Sequence, residues 1–228
     1  MMQKPNRAVL LVASPKGPKS TSNSLAAFLG DKLQQKGMTV EKVFINQTLG
    51  SDKKINMMLG LVDVSDLIVF AFPLYADCLY SQAIKTLELI AEHENGRSQL
   101  CKKGFVAIVN SGFPEARHND TALAVCRNFA KKVGFTWAGG LAMGGGGMIS
   151  GQPIAELGGR VRNQVKALEI AAEALANGEV IPEKAIVLIS KLGIPKWMYL
   201  WMGNHGWKSE AKKAMKVKSM YSQPCMDV

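Results

Sequence analysis

The sequence predicts an α/β fold: five parallel strands in one sheet, helices on both faces, and a helical extension at the C-terminal end. Three observations lead there. Short apolar, β-rich runs recur along the chain, as expected of strands covered on both faces. Between them lie segments whose apolar residues repeat at helical spacing. The regular alternation of the two implies right-handed crossovers, and so a parallel sheet sandwiched by helices.

The elements follow in order. Residues 8–13 (AVLLVA) form the first strand. After a loop of Ser, Pro, Gly and Lys, residues 22–36 place Leu25, Ala26, Leu29 and Leu33 on one helical face, and Gly37 is a natural stop. A short strand over 39–43 and a weaker helix over 52–61 come next. Residues 67–71 (LIVFA) are the next buried strand, and 83–90 a helix. A fourth strand, 104–109 (GFVAIV), precedes a helix over 121–133, and 136–143 supplies the fifth strand. Residues 154–176, rich in Ala, Glu, Arg and Leu, read as one long helix. This rhythm fits either half of a larger dinucleotide-binding fold or a complete five-stranded open sheet. The loops decide, because ligands of open α/β sheets bind at the carboxyl ends of strands, near the switch in strand order.

At 228 residues and 47% hydrophobic, the chain suits one globular domain with a sizeable core. We place that domain at 1–180 and the extension at 181–228. Cys78, Cys101, Cys126 and Cys225 are scattered without a CxxC pair, which argues for reduced thiols and against a disulfide framework, a zinc site or an iron–sulfur cluster. His93, His118 and His205 share no metal-ligand spacing. Residues 1–7 lead straight into an apolar run far too short to span a bilayer, so a cytoplasmic chain is expected. The net charge of +10 raises the question of nucleic acid, but much of the excess lies after residue 180, where eight lysines face three acids. No recognition element accompanies it, and no nucleic-acid partner is expected.

The first post-strand loop runs Ser14-Pro15-Lys16-Gly17-Pro18-Lys19-Ser20-Thr21-Ser22-Asn23. It enters a helix, where unpaired N–H groups and the helix dipole favour an anion. Ser14, Ser20, Thr21 and Ser22 offer hydroxyls, and Lys16 and Lys19 add charge; one hydroxyl alone suffices to cap the helix. The loop matches neither the Walker pattern nor GxGxxG, which disfavours a nucleoside triphosphatase or a Rossmann dehydrogenase. Ala13-Ser14-Pro15-Lys16, then Ser20-Thr21-Ser22 and Leu25, resembles the phosphate loop of the flavodoxin-like NAD(P)H-dependent FMN reductases. Ala13 stands where that family has glycine, and Lys16 where it has arginine.

Two further loops extend the resemblance. Phe72-Pro73-Leu74-Tyr75-Ala76-Asp77 is similar to the family's Pro-hydrophobic-Tyr segment, which contacts the flavin ring. Physically, a proline stiffens the turn, and Tyr75 can cover a ring or pack against a partner subunit. Asn110-Ser111-Gly112-Phe113 follows the fourth strand, where the family borders the flavin through backbone amides and a small residue. Gly112 suits a close approach, and His118 lies just beyond. Four consecutive glycines, 144–147, are costly to order. They are expected to form either a closely approached loop admitting the nicotinamide or substrate, or a mobile linker. The resemblance covers residues 8 to 176 and matches three loops in order.

It implies a flavodoxin-like fold holding FMN, with NADPH or NADH as electron donor and a quinone, free flavin or similar small molecule as acceptor. The implied cofactor-binding residues are Ser14, Lys16, Ser20, Thr21, Ser22, Pro73, Leu74, Tyr75, Ala76, Asp77, Asn110, Ser111, Gly112 and Phe113. No catalytic side chain is implied, since the flavin carries the chemistry. A homodimer is also implied. The competing readings are a flavodoxin-like electron carrier, which a basic chain with an extension fits poorly, and a flavin-free binding protein that keeps the fold.

In the extension, residues 185–202 are strongly apolar but interrupted by Lys191, Gly193, Pro195 and Lys196, which argues against a transmembrane helix. Trp197, Tyr199, Trp201 and Trp207 crowd one stretch. The favoured expectation is a pair of helices packing on the domain or on a second subunit; the alternative is a peripheral anchor at a membrane surface. Residues 209–218, with Lys212, Lys213, Lys216 and Lys218, read as a solvated helix face or a site for an acidic redox partner.

Overall fold

The computed structural model describes residues 4–95 and 103–213. Cys101, Cys225, Lys216 and Lys218 lie outside the described residues. The strands are β1 (Arg7–Val12), β2 (Thr39–Phe44), β3 (Leu67–Pro73), β4 (Gly104–Asn110) and β5 (Thr136–Met143). They form one parallel sheet in the order β2-β1-β3-β4-β5, which is the doubly wound flavodoxin-like order, with its switch point between β1 and β3.

The helices are α1 (Thr21–Gln35), α2 (Ile45–Thr48), α3 (Asp52–Val64), α4 (Ser81–Glu94), α5 (Asp120–Val133), α6 (Arg162–Ala176), α7 (Glu183–Ile189) and α8 (Lys196–Lys213). Alternate strand residues feed two cores, as the two-residue period requires. Val9, Leu11, Ile68, Phe70, Phe72, Phe105, Ala107 and Val109 join Met58 and Val62 of α3, Leu87 and Ile90 of α4, and Cys126 and Ala130 of α5. On the other face α1 presses so closely on β1 that a Cβ at Gly30 would meet a Leu10 methyl at 2.7 Å. Apolar α1 (Leu25, Leu29, Leu33) and α6 (Leu168, Ala171, Leu175) residues are buried there, and Lys32 of α1 pairs with Glu169 of α6 at 2.9 Å.

One expectation needs correction. Residues 154–176 are not one helix: a 3₁₀ segment, Ile154–Val161, precedes α6 and is itself kinked at Gly158, with φ 61 and ψ −147. The Gly158-Gly159 pair explains the kink, because glycine alone adopts that conformation cheaply. The helix α2 directly after β2 has no periodic signal in its four residues. By compactness the chain divides into two units, Met1–Gly193 and Ile194–Val228. Ile181 donates its N–H to Ala138 O at 2.7 Å and fills the space beside Gly139, so the segment through α7 belongs to the sheet domain.

Candidate functional site

The carboxyl ends of the strands are drawn together by register. Pro73 lies opposite Asn110, and Asn110 opposite Met143, so β3, β4 and β5 end level with one another. The backbone continues the pairing past those ends: Leu74 N donates to Asn110 O at 2.8 Å and Ser111 N to Met143 O at 3.0 Å. Ala13 N donates to Ala71 O at 2.8 Å, which brings the loop after β1 to the same edge.

That first loop is compact. Gly17 N bonds to Ser14 O at 2.9 Å and Lys19 N to Lys16 O at 3.2 Å, closing a 3₁₀ turn over Gly17–Lys19. Ser20 caps α1: its Oγ accepts from Asn23 N at 3.1 Å and donates to Gly17 O at 2.6 Å. Thr21 Oγ1 donates to Gly146 O at 3.0 Å, and Ser22 Oγ accepts from the Asn110 side chain at 2.7 Å. Ser14 and Ser22 are buried, while Lys16 and Lys19 are exposed. Helix geometry leaves the N–H groups of Thr21 and Ser22, in the first turn, without acceptors inside α1. The positive end of the helix dipole, the Ser22 hydroxyl hydrogen and two lysines therefore share one small region.

The second loop holds strain. Tyr75 and Cys78 exchange two backbone hydrogen bonds, each 3.0 Å, around a two-residue turn. Its central residues, Ala76 at φ 44 and Asp77 at φ 60, are left-handed although neither is glycine. That conformation costs L-residues about 1–2 kcal/mol each, and such strain concentrates at ligand-binding turns. Pro73 and Leu74 are half-buried. Tyr75 is 47% exposed, its ring 5.8 Å from that of Tyr80. Tyr80 Oη donates to Asn46 Oδ1 at 2.8 Å, and burial, aided by neighbouring Tyr75, pushes its hydroxyl well above the usual phenol range.

The third loop is anchored by a residue that the sequence did not single out. Asn119, fully buried, directs its amide to Ala116 O at 2.9 Å, Met143 O at 3.3 Å and Ser111 Oγ at 3.4 Å. The only signal for it was an asparagine beside a helix start, which ordinary capping also explains. Asn110 reaches the other way, to Ser22 Oγ and, at 3.2 Å, to Phe72 O. Ser111 is buried; Gly112 and Phe113 are exposed, with the Phe113 ring 4.6 Å from that of His118. A Cβ at Gly112 would touch nothing within 4 Å, so this glycine borders open space.

The glycine run is a closely packed loop, not a linker. Gly144, Gly145 and Gly146 are buried. Gly145 N donates to Phe113 O at 2.7 Å and Gly146 N to Ser111 O at 2.8 Å. A side chain at Gly144 would collide with the Pro114 carbonyl. Gly146 thus ties the third loop to Thr21 of the first. The structure brings all the sequence-predicted residues to one edge: hydrogen-bond donors and cationic charge at the α1 end, exposed aromatic and glycine surface on the loops after β3 and β4. Such an arrangement can take an anionic group at one end of a flat, partly apolar molecule.

No protein-family model matches the chain, and no curated protein matches it by sequence. Solved structures do share the fold. An FMN-dependent NADH-azoreductase from Bacillus anthracis aligns at 15% identity over 75% of this chain and 100% of that one, with a TM-score of 0.57. The Streptococcus pneumonia TIGR4 flavodoxin aligns at 18% identity over 75% and 97%, with a TM-score of 0.51. A rubredoxin oxygen:oxidoreductase from Desulfovibrio gigas aligns at 14% identity over 76% of this chain but 36% of its own length, with a TM-score of 0.53. The fold is flavodoxin-like.

Proposed function

We propose that the chain is an FMN-dependent NAD(P)H oxidoreductase, passing electrons from NADPH or NADH to a quinone, free flavin or similar small acceptor. One observation carries this reading: the 2.7 Å bond from Asn110 to Ser22 sets the N-terminus of α1 beside the loops after β3 and β4. An anion-favouring helix end and an exposed aromatic rim would thereby be parts of one site.

The residues present fit FMN. Its phosphate would be held by the N–H groups of Thr21 and Ser22, the Ser22 hydroxyl, and the charges of Lys16 and Lys19. The buried Ser14 would line the base of that cradle. Gly112, which borders open space, leaves room for close approach of a ring, and the Tyr75–Cys78 turn offers a preset rim. Bound FMN supplies hydride acceptance and the release of one or two electrons. The protein's share is to bind the phosphate, hold the ring and leave one face open to donor and acceptor. Tyr75 and Phe113, both about half exposed, suit that open face. The sharing of fold with an FMN-dependent azoreductase, aligned over its whole length, supports the same reading. A homodimer, in which a partner covers this rim, belongs to the proposal.

A second reading, a flavin-free protein on the same fold, draws on a specific feature. Pro15 and Pro18 lack N–H groups, and those of Gly17 and Lys19 are spent inside the loop. The cradle therefore has few donors besides those of α1. Titration of the purified protein with FMN and with riboflavin separates the two readings. The oxidoreductase reading expects FMN to bind about a hundredfold tighter than riboflavin, because the phosphate meets charge-assisted hydrogen bonds. Binding of neither compound supports the flavin-free reading.

A further inference from the structure

Helix α8 forms within the second compact unit of the chain and buries none of its residues. Its tryptophans are among the most exposed large apolar groups described: Trp197 at 70%, Trp201 at 63% and Trp207 at 72%. A helix with Gly203 and Gly206 at its centre has weak intrinsic stability, so a surface that covers its tryptophan side contributes to its order.

The arrangement of side chains identifies that surface. At 3.6 residues per turn, Trp197, Leu200, Trp201, Trp207 and Ala211 fall within a sector of roughly 120°. Lys196 lies at one border of this sector and Lys212 at the other, with Asn204 and Lys208 inside it. A protein core or a self-pairing seam would be disfavoured by Lys208, which would be buried or set against its own copy. Tryptophan flanked by lysine suits a boundary between hydrocarbon and water: the indole is apolar with one polar edge, and the lysine stem lies along the apolar layer while its ammonium stays wet. No helix among the described residues is long and apolar enough to cross a membrane. Helix α8 has four lysines against Glu210 alone among acids, which complements an anionic surface.

We propose that α8 is an interfacial helix that seats its Trp197–Trp201–Trp207 side in the headgroup layer of an anionic bilayer, with Lys208 and Lys212 on the lipid charges. This proposal does not depend on the flavin reading of the sheet domain. It would keep the domain beside a surface from which lipid-soluble molecules can be drawn.

The test uses the full chain and vesicles of pure phosphatidylcholine or of phosphatidylcholine mixed with phosphatidylglycerol. The expected result is co-sedimentation with the mixed vesicles, at least about tenfold stronger than with the neutral ones, and suppressed by high salt. Tryptophan emission should shift to the blue on binding. Trp197→Ser with Trp201→Ser, and separately Lys208→Glu with Lys212→Glu, should each abolish sedimentation while far-ultraviolet circular dichroism and thermal unfolding of the sheet domain stay unchanged. The second pair keeps the tryptophans, so it distinguishes lost binding from lost structure. Failure to sediment with the mixed vesicles overturns the proposal, as does binding that both variants retain. Blue-shifted emission without vesicles that turns red in the tryptophan variant together with loss of a dimer in sedimentation equilibrium also overturns it, in favour of a second copy.

Discussion

Asn110 and Ser22 stand 88 residues apart in the chain, yet the amide of one donates to the hydroxyl of the other over 2.7 Å in the buried floor of the site. The bond spans from the end of β4 to the first turn of α1, across the carboxyl end of β3. Because Asn110 also holds Phe72 O, one side chain fixes three of the loops that define the proposed FMN site.

Replacing it tests that coupling. Asn110→Ala removes both bonds and strands Ser22 Oγ and Phe72 O in a buried setting, which should cost about 1–3 kcal/mol of stability. Urea denaturation measures this. FMN affinity should fall by more than riboflavin affinity, since the α1 cradle is the part displaced. Equal losses for both ligands would place Asn110 outside the phosphate region.

Two glycines at this edge should behave oppositely. Gly144→Ala forces a Cβ against the Pro114 carbonyl, so backbone must shift. We expect a loss of roughly 1–3 kcal/mol, typical of overpacking. At Gly112 a Cβ meets nothing within 4 Å, so Gly112→Ala should leave the thermal midpoint nearly unchanged. If a flavin ring approaches Gly112, that same quiet substitution weakens FMN binding. Differential scanning calorimetry with and without FMN separates the two effects.

The left-handed turn offers a third check. Ala76→Gly relieves the strain at φ 44 and should stabilise the protein by about 0.5–1 kcal/mol, net of the added chain entropy. The turn would then be less preset, and FMN affinity should fall. A variant that gains stability and loses affinity identifies the turn as a strained ligand clamp. One that is merely destabilised shows that the left-handed geometry is held for another reason.

Much of this architecture was legible in the sequence because its signals are local. AVLLVA, LIVFA and GFVAIV are continuous apolar runs, and parallel strands buried on both faces require them. The three loops were legible for a related reason: each follows a strand, where an open sheet places its ligands. What the sequence hid is set by tertiary geometry. Asn119 looks like any asparagine at a helix start, and its role depends on Ser111 and Met143 meeting it in space. The glycines at 144–146 could equally have been a linker; their hydrogen bonds to Phe113 and Ser111, and the Pro114 carbonyl that leaves no room for a Cβ at Gly144, make them a packed loop. That Ser20 is the loop hydroxyl that caps α1, while also donating to Gly17 O, shows only in the folded loop. The Gly158-Gly159 pair sits inside an otherwise helical pattern, and the backbone angles of Gly158 reveal the kink ahead of α6.

The most direct test of the central claim is the visible absorption spectrum of the protein after incubation with FMN and desalting, followed by anaerobic addition of NADPH and then NADH. The account predicts that a flavin spectrum stays with the protein and is bleached rapidly by one of the two donors. A protein that emerges colourless and shows no binding in titration would contradict it, and the converging loops would then have to serve a ligand other than FMN.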